Sequence, residues 1–255
     1  MDSAVIRIIR SWFVVAMTTL VVVLVGVSAP PAVADTDWTA FPGGIAPGAG
    51  IAQARPGGDE DFATCTLGVI AGDPSTHKLY GIAAGHCDHG GPVLYSVAEK
   101  PDTQRTLGTY VASRDEGTTI TGDDDLLPVY TDAGVIAFAP GTPIASFKIG
   151  GRYPVRAVLK DRKDVPYGTE VCKYGMKSGE TCGPVVVAAK YTITAQLRTV
   201  HGDSGAPLYR KNRDGTADLI GIASSVNEDS RTTKFFWIAP VLEALNLEAC
   251  GCGAI

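Results

Sequence analysis

Three short segments carry the side chains with most to offer chemically. They are Ala83-Ala84-Gly85-His86-Cys87, Thr131-Asp132-Ala133-Gly134 and His201-Gly202-Asp203-Ser204-Gly205. A serine hydroxyl is a weak nucleophile near neutral pH. It needs a base within hydrogen-bond reach, and the base needs an acceptor to orient it. Histidine, with an unperturbed pKa of about 6.5, suits the role of base. A carboxylate on its other ring nitrogen fixes the tautomer and stabilises the imidazolium. His86, Asp132 and Ser204 supply these three roles, in the chain order His, Asp, Ser. Asp132 is preferred to Asp123, Asp124 and Asp125 because the apolar run Ala133–Phe138 follows it and the orienting acid should be buried. The nucleophile elbow of α/β-hydrolases has the order Ser, acid, His and a glycine two residues after the serine. Ala206 stands at that place here, so that reading fails. Gly202 can adopt a backbone conformation closed to other residues and turn its N–H toward the same point as that of Ser204. Two such donors make an oxyanion hole. Asp203 would then point inward, where a buried carboxylate needs a partner.

A different chemistry is conceivable for His86-Cys87-Asp88-His89 with Cys250-Gly251-Cys252, as a metal cluster. The spacing is not a usual zinc pattern and an exported cysteine is more often oxidised. No metal and no cofactor is expected. His89 reads as a loop residue and His201 as a rim residue of the site.

The elements that must position these groups read as short strands. The chain has 255 residues, 45% hydrophobic and 19% charged, with 30 Gly, 16 Pro and a net charge of −5. That balance excludes a largely disordered chain and a strongly basic nucleic-acid binder. Few charges and many glycines favour a turn-rich β protein over a helical bundle. Runs rich in Val, Ile, Thr and Tyr predict strands over 64–71, 78–84, 92–97, 106–113, 134–139, 153–160, 181–189, 190–197, 217–226 and 234–238. The one helix expected is Pro240 to Leu247, with proline near its first position. Such a set suggests a sandwich or barrels.

At the front, Arg7 and Arg10 precede an apolar run from Trp12 to Val27, and Ala32-Val33-Ala34 follows. This reads as a signal peptide over 1–34, cleaved before Asp35, which places the rest in an oxidising compartment outside the cell. An uncleaved anchor is the other reading. Residues 35–64 read as a linker or short pro-segment, because the Gly- and Pro-rich stretch 41–58 offers little to bury. The charged run Lys160-Asp161-Arg162-Lys163-Asp164 lies near a divide between two halves, 65–150 and 151–255.

On these motifs the chain resembles the trypsin/chymotrypsin-like serine proteases, in particular the secreted bacterial branch of streptogrisins and α-lytic protease. Gly85-His86-Cys87 is similar to the family's Ala-His-Cys, and Gly202-Asp203-Ser204-Gly205 to its nucleophile motif. Val171-Cys172-Lys173-Tyr174-Gly175 through Thr181-Cys182-Gly183 resembles a disulfide hairpin of the bacterial branch. Gly221-Ile222-Ala223-Ser224 resembles the strand that pairs with substrate, and Phe235-Phe236 before Pro240 resembles the branch's ending. The resemblance implies an all-β fold of two antiparallel six-stranded β-barrels, with the active site between them and a short C-terminal helix. It implies disulfides Cys65–Cys87 and Cys172–Cys182, and an ion pair of Lys173 with Asp203. Cys250 and Cys252 are left to pair with each other or with another molecule. The implied activity is that of a secreted serine endopeptidase acting through an acyl-enzyme. Its partner would be a peptide or protein substrate. Binding to nucleic acid, or to a membrane after signal cleavage, is not expected, and the enzyme should act as a monomer.

The chain also departs from the family. The disulfide that braces the specificity pocket has no cysteines here, around Leu197-Arg198-Thr199-Val200 or Asn227-Glu228-Asp229-Ser230. Val226 stands where a glycine commonly admits the substrate side chain, beside Ser224 and Ser225. Arg198 falls near the usual pocket base, where it would favour acidic substrate side chains or else point to solvent. These departures leave a non-catalytic secreted binding protein on the same fold as the competing reading.

Overall fold

The structure is a computed structural model that describes residues 39–55 and 62–251. The expected signal segment 1–34 lies outside the described residues. Among the described residues sixteen strands alternate with tight turns. Those of the first half are β1 Gly50–Ala54, β2 Phe62–Thr66, β3 Val69–Gly72, β4 Leu79–Ala83, β5 Pro92–Val97, β6 Lys100–Asp115, β7 Thr118–Thr121 and β8 Asp132–Phe138. Then come β9 Val155–Val158, β10 Glu170–Gly175, β11 Gly179–Ala188, β12 Thr192–Ala195, β13 Pro207–Lys211, β14 Ala217–Asn227, β15 Thr232–Trp237 and β16 Glu248–Ala249. Short 3-10 turns occupy Gly85–Cys87 and Arg162–Asp164, and helix α1 runs Ala239–Ala244 with Pro240 in its first turn.

The second half closes. Strands β13, β10, β11, β12, β15 and β14 pair in that order, and β13 pairs again with β14, making a six-stranded antiparallel barrel. Its interior is filled by Val171, Val185, Ile193, Leu208, Ile220 and Phe235. β14 reads as one long buried run because β13 and β9 flank its first part and β15 pairs with it from Gly221 onward.

Two expectations need correction here. The first half is a nine-stranded sheet in the order β16-β3-β4-β8-β6-β5-β1-β2, with β7 on β6, and its hydrogen-bond ladder does not close. The end strand β2 continues in the chain through Leu67-Gly68 into β3, the strand next to the other end, β16. The strands are also not all antiparallel, since β9 runs parallel to β14.

The stretch 41–58 also differs from its reading as a segment with little to bury. Ile45, Ala46, Ala49, Ile51 and Ala52 are buried, and β1 pairs with both β2 and β5. Gly and Ala hid this strand, because its single large apolar residue, Ile51, is enough to plug a space its small neighbours leave. Residues 56–61 of that stretch lie outside the described residues. A third apolar cluster joins the halves. It includes Ile82 and Val135 of the first sheet, Tyr209, Leu219 and Ile222 of the barrel, and Val241 and Leu242 of α1.

Candidate active site

His86 sits in the 3-10 turn that follows β4. The turn is fastened at both ends. The Cys65–Cys87 disulfide ties it to β2, and the Asp132 carboxylate accepts the Gly85 and His86 N–H groups at 2.7 and 3.0 Å. Gly85 is required by close approach: a Cβ there would lie 2.0 Å from the Arg114 carbonyl oxygen of β6.

Asp132 opens β8 and is fully buried. Its Oδ2 lies 2.7 Å from His86 Nδ1. A carboxylate can only accept, so Nδ1 carries the proton and Nε2 is left with a free lone pair. Burial pushes the Asp132 carboxyl up, but hydrogen bonds from His86 and the Ser224 hydroxyl outweigh it and hold the group below the ordinary aspartate range. Burial likewise works against the His86 imidazolium. The Asp132 hydrogen bond and charge, with Asp115 and Glu116 beyond, outweigh it and raise the group above the ordinary histidine value.

Ser204 lies in the loop between β12 and β13, and it lines the same cleft as His86 and His201. One arm of the cleft, about 430 Å³, runs past Thr199, Val200, Ser224, Ser225, Val226 and Thr233. The other, about 490 Å³, passes Thr64, Cys65, His89 and Gly202. Gly202 has φ +96°, in the region closed to side chains. Among the described residues neither the Gly202 nor the Ser204 N–H donates to a protein acceptor. The loop is seated by Thr66, whose N–H donates to the Ser204 carbonyl at 2.7 Å and whose hydroxyl donates to the Gly202 carbonyl at 2.8 Å.

Beneath the loop Asp203 is buried and meets Lys173 of β10 at 2.9 Å, both side chains fully enclosed. Lysine offers no bidentate fork. The rest of the carboxylate is satisfied by the Ser178 hydroxyl at 2.6 Å and by the N–H groups of Lys177, Ser178 and Val200 at 3.1–3.2 Å. Burial opposes the charge on Asp203, but Lys173 and these donors hold it below the ordinary range. Cys172 and Cys182 are bonded across β10 and β11. Cys250 is buried, and Cys252 lies outside the described residues.

Of the expected pocket residues, Ser224, Ser225 and Val226 line the cleft beside Ser204. Arg198 does not. It is exposed and lines a neighbouring recess with Glu228 and Arg231. Sequence reasoning missed Thr199 and Thr233, whose hydroxyls bond each other at 2.7 Å in the cleft. No motif marks them, and only the pairing of β14 with β15 brings Thr233 opposite Val226. It also missed the fully buried Asp218, which holds Arg156 of β9 and Arg210 of β13, each at 2.9 Å.

No family model matches the chain. The uncharacterized protein Rv1815 of Mycobacterium tuberculosis strain H37Rv is 30% identical over 174 residues, spanning 66% of this chain and 70% of its own. Among solved structures, Nocardiopsis protease is similar at TM-score 0.54 and 19% identity, over 83% of this chain and 99% of its own. Alpha-lytic protease homolog N4 is similar at TM-score 0.54 and 21% identity, over 82% and 98%. A glutamic acid specific serine protease reaches TM-score 0.56 at 16% identity, over 80% of this chain and all of its own.

Proposed function

This chain belongs to one family with the mycobacterial protein Rv1815, on the fold of the bacterial chymotrypsin-like serine proteases, and from that premise we propose that it is a secreted serine endopeptidase. The observation that carries the reading is His86 Nδ1 held at 2.7 Å by buried Asp132, with Ser204 and two unused backbone N–H groups in the cleft His86 lines. Ser204 Oγ attacks the peptide carbonyl while His86 Nε2 takes its proton. The Gly202 and Ser204 N–H groups receive the developing oxyanion, an effect worth a few kcal/mol per donor. His86 then hands the proton to the leaving amine, and water repeats the sequence on the acyl-enzyme. Substrate would lie along β14, which from Ser224 to Asn227 has β15 on one side and no strand on the other among the described residues.

The side chain accepted beside Ser204 would be small. Val226 and the bonded pair Thr199–Thr233 line and narrow that arm of the cleft, whereas Arg198, the group that would select acids, lines the adjoining recess. Disulfides and the signal segment in the sequence support export. Among the described residues no helix is long and apolar enough to cross a membrane. The test is labelling of the mature chain with a fluorophosphonate, with hydrolysis of a peptide library read alongside. Label on Ser204, and hydrolysis lost in Ser204→Ala, are expected. A folded protein that neither labels nor cleaves would instead be a binding protein.

A further inference from the structure

Beside the His86–Asp132 pair stands a second carboxylate that the mechanism above leaves unused. Asp115 ends β6 directly opposite Asp132 in the β6–β8 ladder. Its carboxylate, that of Asp132 and a ring nitrogen of His86 all lie within 4.8 Å of one another. The approach has a local cause. With no Cβ on Gly85, the Arg114 carbonyl presses against the turn that carries His86, and Asp115 is the next residue along. An alanine there would collide with the Arg114 carbonyl of β6 and the Ala133 carbonyl of β8.

The geometry points to Asp115 as a positioning residue that acts through His86, a second anion stabilising the imidazolium formed when His86 takes the Ser204 proton. Asp132 does this by a hydrogen bond, and Asp115 does it through space. The charged groups facing Asp115 are His86 from the 3-10 turn, Asp132 from β8, Glu116 next in the chain and Lys234 from β15. Lys234 is taken up by Glu116 at 2.5 Å, which leaves the Asp115 charge directed at His86. Burial and the Asp132 charge raise the Asp115 carboxyl above the ordinary aspartate range.

The inference rests on the protease reading, and its test separates the two. In the mature protein, Asp115→Asn should lower the pH midpoint of kcat/KM by about one pH unit, as loss of one half-exposed charge at this range implies. The plateau kcat should fall several-fold with KM little changed, and Asp115→Glu should recover most of the midpoint. The same shift should appear in the His86 ring resonances during an NMR titration of Ser204→Ala, which needs no turnover. If Asp115→Asn does not fold, Asp115→Ser carries the same expectation. If neither folds, Asp115→Ala carries the test, with the same fall in the His86 titration midpoint expected. An unchanged His86 titration in a folded variant overturns the role of Asp115, whether or not the protein cleaves peptides. A shifted titration in a protein that cleaves nothing overturns the protease reading alone.

Discussion

At the scale of single residues, the site turns on which charges are enclosed together. His86 is useful as a base only when neutral, and its neighbours raise its pKa. Activity should therefore rise with pH through a midpoint above the unperturbed value of about 6.5. A kcat/KM profile from pH 5 to 9 checks this, and a midpoint below 6.5 contradicts it. Lys173 and Asp203 are a second enclosed pair, without solvent to rescue either partner. Lys173→Met should cost about 3–5 kcal/mol, since it leaves a buried carboxylate unpaired, and urea denaturation measures it. The Asp203 carboxyl is lowered on folding, so its contribution is present above the ordinary aspartate value and lost as pH falls through the folded one. The Lys173→Met penalty should accordingly shrink in strong acid. These residues were legible in the sequence because each stands in a motif whose chemistry limits it to one or two residue types. Asp115, Thr199 and Thr233 were not, because their neighbours are set by strand pairing rather than by sequence distance.

Strands and turns were legible in proportion to their side chains. β4, β5, β14 and β15 are rich in large apolar residues and stand within a few residues of where their composition places them. β1 is Gly-Ile-Ala-Gln-Ala, and its pairing with β5 is decided by the space those small residues leave. Its Gln53 is nonetheless buried, donating to the Gly91 carbonyl at 2.9 Å and accepting from the His89 N–H at 2.7 Å, so β1 also shapes one arm of the cleft. β9 is short and half-exposed, and the ion pair of Arg156 with Asp218 adds to its parallel ladder on β14. The turn of His86 is a place of tight fit between elements. Gly85→Ala should destabilise the fold by about 1–3 kcal/mol as the added methyl meets the β6 backbone, read as a lowered thermal midpoint. A Tm equal to that of the parent would show that β6 yields freely.

Across the described residues, the disulfides Cys65–Cys87 and Cys172–Cys182 close chain separations of 22 and 10 residues, one in each half. Chain entropy alone makes them similar, at about 3 kcal/mol each. Their consequences for activity should differ. Replacing Cys65 and Cys87 with serine unties the turn of His86, so kcat should fall along with stability. The Cys172 and Cys182 pair braces a hairpin behind the Ser204 loop, and its loss should lower stability with kcat changed far less. Equal losses of kcat in the two double variants would contradict this.

The small strand β16 has a consequence in time rather than in space. It pairs with β3, so the first sheet contains partners separated by nearly the whole described chain, Ala71 with Ala249. The second barrel draws all its strands from Glu170 to Trp237, nested inside that span. A chain synthesised from its front end therefore has every strand of the barrel that holds Ser204 before the sheet that holds His86 receives its last one. The half that begins first is finished last, and the cleft between them takes its final form only once residue 249 has left the ribosome.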